Sequence, residues 1–180
     1  MPDAVYMAGM AVSMVLMGGV SDMYGRQRTL FWCNFFLVIS SFLQIPMKNV
    51  AGFATMRFFQ GFFCSSGYSA AFIYLSEIVK SERRAKLGLS INALFGAGSI
   101  AYTLGGLMFR DWRHLVTWVS CHTAAACVGV YFMDESPRWL ISRDRAKDAF
   151  EISKKIAIKN AKPEYTAAMF DEADSKVLIK

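Results

Sequence analysis

The chain has 180 residues, a formal net charge of +6, and 54% hydrophobic and 14% aromatic residues. Only 19% are charged, against about 25% in a soluble domain, and they are unevenly placed. Met1 to Met133 is oily with short charged breaks, whereas charges recur every few residues from Asp134 to Lys180. This excludes an ordinary soluble domain, and because the basic residues sit in gaps between oily runs, it also argues against a nucleic-acid partner.

Five segments are long and apolar enough to cross a bilayer core of about 30 Å as helices, which takes about 20 residues. They cover about 4–21, 29–46, 51–76, 88–109 and 114–133. The first has no basic n-region and is not a cleavable leader. Pro46 closes the second, and the third carries one basic residue, Arg57. Small residues recur every fourth position at Gly61, Ser65 and Ser69, and again at Ala97, Ala101 and Gly105, the spacing that lets helices approach closely in lipid. The predicted fold is an all-α transmembrane bundle, residues 1–133, followed by a wet tail, 134–180. In the tail, Ser136-Pro137 reads as a helix start. A second helix after Ser142 places Ala146, Ala149, Phe150, Ile156 and Ala157 on one face, with Asn160 near its end.

Basic residues assign the sides. Arg26 and Arg28, then Lys80, Arg83, Arg84 and Lys86, then ten in the tail make sixteen on one side; Lys48, Arg110 and Arg113 make three on the other. The positive-inside rule puts Met1 outside and the tail in the cytoplasm. An odd number of spans entering from outside is the pattern of a chain without its first helix.

Enzyme readings find no support. There is no Gly-rich phosphate loop, nucleophile motif or His-Cys cluster. Cys33, Cys64, Cys121 and Cys127 all lie in oily segments without metal-ligand or disulfide-framework spacing. No cofactor and no metal is expected.

The charged breaks carry the sharper signal. "MGGVSDMYGRQRTL" (Met17 to Leu30) contains G-x-x-x-D-x-x-G-R-x-R, from Gly18 through Asp22, Gly25 and Arg26 to Arg28. It resembles the loop between the second and third helices of the major facilitator superfamily. "RFFQG" (Arg57 to Gly61) is similar to R-x-x-Q-G of that family's fourth helix, and Glu77 and Arg84 in "YLSEIVKSERR" to its E-x6-R element. "DWRHL" (Asp111 to Leu115) resembles the turn between the fifth and sixth helices, and "DESPRWLISR" (Asp134 to Arg143) the P-E-S-P-R-W-L run after the sixth. The resemblance covers about residues 5–162, equivalent to helices two to six of twelve. The last run is shared by sugar porters and organic ion transporters; the DWR turn and the basic "KKIAIKNAK" lean toward the organic cation and anion branch. Asp134, Gln27, Ala85 and Lys80 depart from the family patterns, the last two from the sugar porters in particular.

The resemblance implies a multi-pass protein, in the plasma membrane, moving a small organic solute by alternating access. Its partners are the lipid bilayer and a missing C-terminal helical half. Asp22, Arg26, Arg28, Glu77, Arg84, Glu135 and Arg138, with Gly18 and Gly25 shaping the loop, form a cytoplasmic latch on this reading; plain anchoring of basic residues at the membrane edge is the competing one. Arg57, Gln60, Tyr68, Asn92 and Tyr102 are candidates for a substrate cavity, against interhelical hydrogen bonds or interfacial aromatics. A sugar porter-like facilitator is the alternative substrate reading. A non-transporting membrane fragment, or a subunit pairing with another half, is the alternative of another class.

Overall fold

A computed structural model describes residues 2–79, 83–109 and 111–159. Five long helices follow one another: α1 (Pro2–Tyr24), α2 (Arg26–Gln44), α3 (Val50–Ile78), α4 (Arg84–Met108) and α5 (Trp112–Tyr131). Two more, α6 (Pro137–Ile141) and α7 (Ala146–Lys159), come after them. The chain divides into two compact units, Met1–Met133 and Asp134–Lys180.

Helix boundaries follow local chemistry. Asn49 caps α3, its side chain accepting from the Ala51 amide at 3.2 Å, and Asp111 caps α5 by accepting from the Arg113 amide at 3.2 Å. Each carboxamide or carboxylate satisfies a first-turn N–H that has no partner inside the helix. The aspartate of the DWR turn is therefore a helix cap. Pro137 begins α6, where its missing N–H costs nothing.

In the first unit α1 packs chiefly on α3, and α2 packs on both α3 and α5. The interior is inverted relative to a soluble protein. Gln44, Ser13 and Ser120 are each 1% exposed, while large apolar side chains such as Val15 (82%) and Leu107 (78%) point outward. Water would penalise that arrangement; lipid rewards it, because the outer faces need no burial and the polar groups find partners between helices.

The α1–α3 seam shows how closely the helices approach. A Cβ on Gly9 would run into the Phe58 carbonyl, and one on Gly61 into the Tyr6 carbonyl. Each glycine therefore lies directly against the other helix's backbone. Four residues along α1, the Ser13 and Ser66 hydroxyls share a buried hydrogen bond of 2.5 Å. Of the two small-residue stripes, Gly61 and Ser65 are buried in this seam. Gly105 is buried against Trp118 and Leu115 of α5, but Ala97 and Ala101 are exposed along α4. The α2–α3 seam is held by Gln60 Nε2, which donates to Gln44 Oε1 at 2.5 Å and to Ser41 Oγ at 3.4 Å. Phe36 stacks on Phe63 across it, with centroids 5.2 Å apart. Toward α5, Gln27 Nε2 donates to the Val130 carbonyl at 3.2 Å.

Among the described helices, α4 is the one long and apolar enough over an 18-residue window to cross a membrane on length and composition; Asp3–Met17 is a shorter apolar stretch. The five helices of 19 to 29 residues nevertheless reach about 30 Å or close to it at 1.5 Å per residue. What lowers the window average in α2, α3 and α5 includes the seam itself: Ser40, Gln44, Gln60, Ser65, Ser66 and Ser120 are polar and buried.

The second unit has its own small core. Trp139, Leu140 and Ala149 are buried, with Ile141, Phe150 and Ile152 packed on them. Arg145 pairs with Asp148 at 2.6 Å and Lys155 with Asp134 at 3.1 Å. Asn160 and the rest of the tail lie outside the described residues.

Gly61→Ala and Gly9→Ala must push two backbones apart, and each is expected to cost about 1–3 kcal/mol. Gly129→Ala, where an added Cβ meets nothing within 4 Å, should be neutral or slightly stabilising. Thermal melting of the purified variants checks the contrast.

Candidate functional site

The charged cluster begins with a single residue. α1 ends at Tyr24 and α2 starts at Arg26, so Gly25 alone turns the chain. Its backbone sits at φ 106° and ψ 153°, a region that is essentially glycine-only. Its amide donates to the Ser21 carbonyl at 3.3 Å, and its carbonyl accepts from the Thr29 amide at 3.2 Å. The turn thus closes the last turn of one helix and opens the first turn of the next.

This geometry points Arg26 back at α1 and across to α3. Nη2 lies 2.8 Å from Asp22 Oδ1 and 2.9 Å from Glu77 Oε1. Nε donates to the same Glu77 oxygen at 3.1 Å, and Nη1 donates to the Ser21 carbonyl at 2.9 Å. All three guanidinium nitrogens are used, which suits arginine's planar fork and not a lysine. The burial is unequal. The Arg26 and Glu77 side chains are 11% and 14% exposed, whereas Asp22 is 66% exposed. The Arg26–Glu77 pair is therefore the strong member, since it works in a drier, lower-dielectric setting.

Below the pair, a cavity of about 80 Å³ separates α1 from α3, bordered by the hydroxyl residues Ser13, Ser21, Ser66 and Ser69. Ser21 Oγ is buried there without a hydrogen-bond partner among the described residues. The space is large enough for water.

The other expected residues fall in three groups. Arg84 Nε donates to the Ser76 carbonyl at 3.2 Å, one residue before Glu77, so it serves the end of α3. Lys80 to Glu82 lie outside the described residues, as do the surroundings of Gly18, which falls within α1. Glu135 and Arg138 belong to the second unit, where Glu135 Oε1 accepts from the Ser136 amide at 3.0 Å. Arg28 is exposed and takes no part in the Asp22–Arg26–Glu77 cluster.

The five cavity candidates are spread out. The Arg57 guanidinium stands 5.5 Å from the Phe53 ring centroid, and its Nε is buried without a hydrogen-bond partner among the described residues. Gln60 is committed to Gln44 and Ser41 in the α2–α3 seam. Tyr68 is exposed on α3. Asn92 bonds the Gly88 carbonyl of its own helix at 3.0 Å. Tyr102 borders a shallow groove lined by α4 alone. Sequence reasoning missed two carbonyl acceptors: that of Ser21, which completes the cluster, and that of Ser76, which takes Arg84. Backbone acceptors leave no side-chain signal; only the four-residue step from Ser21 to Gly25 hints at the first.

Comparison with known proteins gives a consistent result. A family described as "Sugar (and other) transporter" matches residues 3–179. The chain is 33% identical over 159 residues to human "Organic cation/carnitine transporter 2", covering 87% of this chain and 28% of that protein. It is 30% identical over 161 residues to the Arabidopsis thaliana protein of the same name, covering 87% and 31%. The chain thus spans about three tenths of the length of these relatives. Among solved structures it resembles the xylose transporter XylE from E. coli in a partially occluded inward open conformation. That match has a TM-score of 0.78 and 20% identity, over 97% of this chain and 46% of that one.

Replacing Glu77 removes the buried countercharge of Arg26 while Asp22 and the Ser21 carbonyl still hold the guanidinium, so Glu77→Gln should cost about 1–3 kcal/mol. Asp22→Asn removes a mostly exposed pair and should cost about 0–1 kcal/mol. The two melting shifts of the purified protein should differ several-fold, in that order.

Proposed function

Because the chain belongs to the sugar (and other) transporter family, we propose that it forms helices two to six of a secondary transporter that moves small organic ions by alternating access. It is no enzyme; its family and relatives are transporters. The observation that carries the mechanism is Arg26 clasped by Asp22 and Glu77. One guanidinium ties the α1–α2 turn to the inner end of α3. Transporters of this kind bind cargo near the midplane while two halves rock about it. A charge cluster at the mouth closes the inner side, and its rearrangement opens it. Arg84, Glu135 and Arg138 complete this latch in our reading. Met1 then faces outward, the cluster and residues 134–180 face the cytoplasm, and the membrane is the plasma membrane.

The relatives' names favour organic cations and carnitine, and the side chains suit such cargo. Tyr68 and Tyr102 offer exposed ring faces for a quaternary ammonium. Arg57 offers a partly buried cation for a carboxylate. Asn92 adds an amide, while Gln60 is held by the seam.

Uptake of labelled carnitine, tetraethylammonium and a hexose by the full-length protein in liposomes tests the reading. Carnitine or tetraethylammonium uptake is expected. Arg57→Gln should lower carnitine uptake about tenfold or more, while sparing tetraethylammonium. Glu77→Gln should slow both, and charge reversal at Glu135 should slow transport until a basic partner is also reversed. Uptake of the hexose alone would move the protein to the sugar porter-like reading. No uptake of any of the three would favour a non-transporting subunit.

A further inference from the structure

We infer that Phe53, and Trp112 behind it, are positioning residues for Arg57: they hold its guanidinium at the depth in α3 where it meets the carboxylate of the solute. The inference rests on the role proposed above for Arg57, and on the orientation that puts the first turns of α3 and α5 at the outer surface. Arg57 is the one charged residue between Val50 and Ser76. It lies seven residues, about 10 Å, from the start of the helix. Side chains on a helix slant toward its N-terminus, and a long arginine inside a membrane reaches along that slant for water. Left alone, this guanidinium would snorkel out to the surface.

Phe53 lies in the way. It sits one turn nearer the start of α3, on the same face, and the guanidinium rests over its ring, 5.5 Å from the centroid. The ring face attracts the cation. Arg57 as a whole is half-buried while its Nε is buried, so the Nη1–Nη2 edge is what remains for a carboxylate. Phe53 is itself braced from α5. The Trp112 ring meets it edge to face, with centroids 5.6 Å apart and planes at 85°. Trp112 is the first residue of α5, the Arg113 guanidinium covers it at 5.3 Å, and Asp111 caps the same turn. The DWR turn therefore fixes one ring, and that ring braces the one on which Arg57 rests.

Position matters because the long stem of arginine is flexible. A side chain already held in one place loses less freedom when a ligand binds, so more of the interaction shows as affinity. Removing a ring should therefore weaken the hold on a carboxylate and leave a cation without one unaffected. A merely structural brace would disturb both solutes alike.

Uptake by the full-length protein in liposomes and chemical modification of Arg57 test this together. Phe53→Leu and Trp112→Leu should each raise the KM for carnitine about three-fold or more, the effect of losing one cation–π contact or its support. The KM for tetraethylammonium and the kcat for both solutes should not change. Trp112 is 43% exposed, so its replacement leaves the interior of the bundle intact. Trp112→Phe, which keeps a ring, should restore most of the carnitine KM. In lipid nanodiscs, phenylglyoxal should modify Arg57 faster in the two leucine variants than in the unaltered protein, as read by mass spectrometry, because the freed guanidinium reaches water. Equal modification rates, or equal KM shifts for both solutes, overturn the inference. So does a carnitine KM that Arg57→Gln raises but neither leucine variant changes. Absent carnitine uptake, or uptake indifferent to Arg57→Gln, overturns the proposed role of Arg57 and the inference with it.

Discussion

Backbone contact between α1 and α3 at Gly9 and Gly61 sets the register on which the rest of the first unit depends. The two helices run in parallel, so contacts along the seam and at the turn beyond it keep nearly the same offset. Ser13 meets Ser66 at a sequence separation of 53, and Arg26 meets Glu77 at 51. A slip of one helical turn, about 5.4 Å, would separate the hydroxyl pair and carry Arg26 away from its carboxylate. The glycine crossing, the serine pair and the ion pair are therefore consecutive consequences of one alignment.

The long helices were readable in the sequence because oily residues dominate them and short polar breaks separate them. Their seams were less readable. Gln60 and Gln44 bond each other across 16 residues of chain, and nothing in either residue's neighbourhood names the other. A hydropathy window gives a serine between helices the same weight as one facing outward. Small-residue spacing marked Gly61 and Ser65 as seam residues, but the same spacing at Ala97 and Ala101 lies on an exposed face of α4.

The site shows a similar division. G-x-x-x-D-x-x-G-R-x-R drew attention to Asp22, Gly25 and Arg26, and one geometry explains all three. The glycine supplies a backbone angle that other residues resist, the arginine follows it immediately, and the aspartate is one turn back. Spacing alone could not rank the charges. It grouped Arg28 with Arg26, although α2's helical periodicity turns the two side chains about 200° apart.

The one-residue elbow at Gly25 also limits how the protein can move. A connection with no spare length cannot stretch, so α1 cannot slide along α2 without unwinding one of them. The two helices can pivot at Gly25 but cannot slip past each other. α3, locked to α1 through glycine backbone contacts, is carried with it. Any rearrangement at this end of the first unit is thus a tilt of whole helices, and the Arg26 fork, which joins the α1–α2 turn to α3, lies where such a tilt would first be felt.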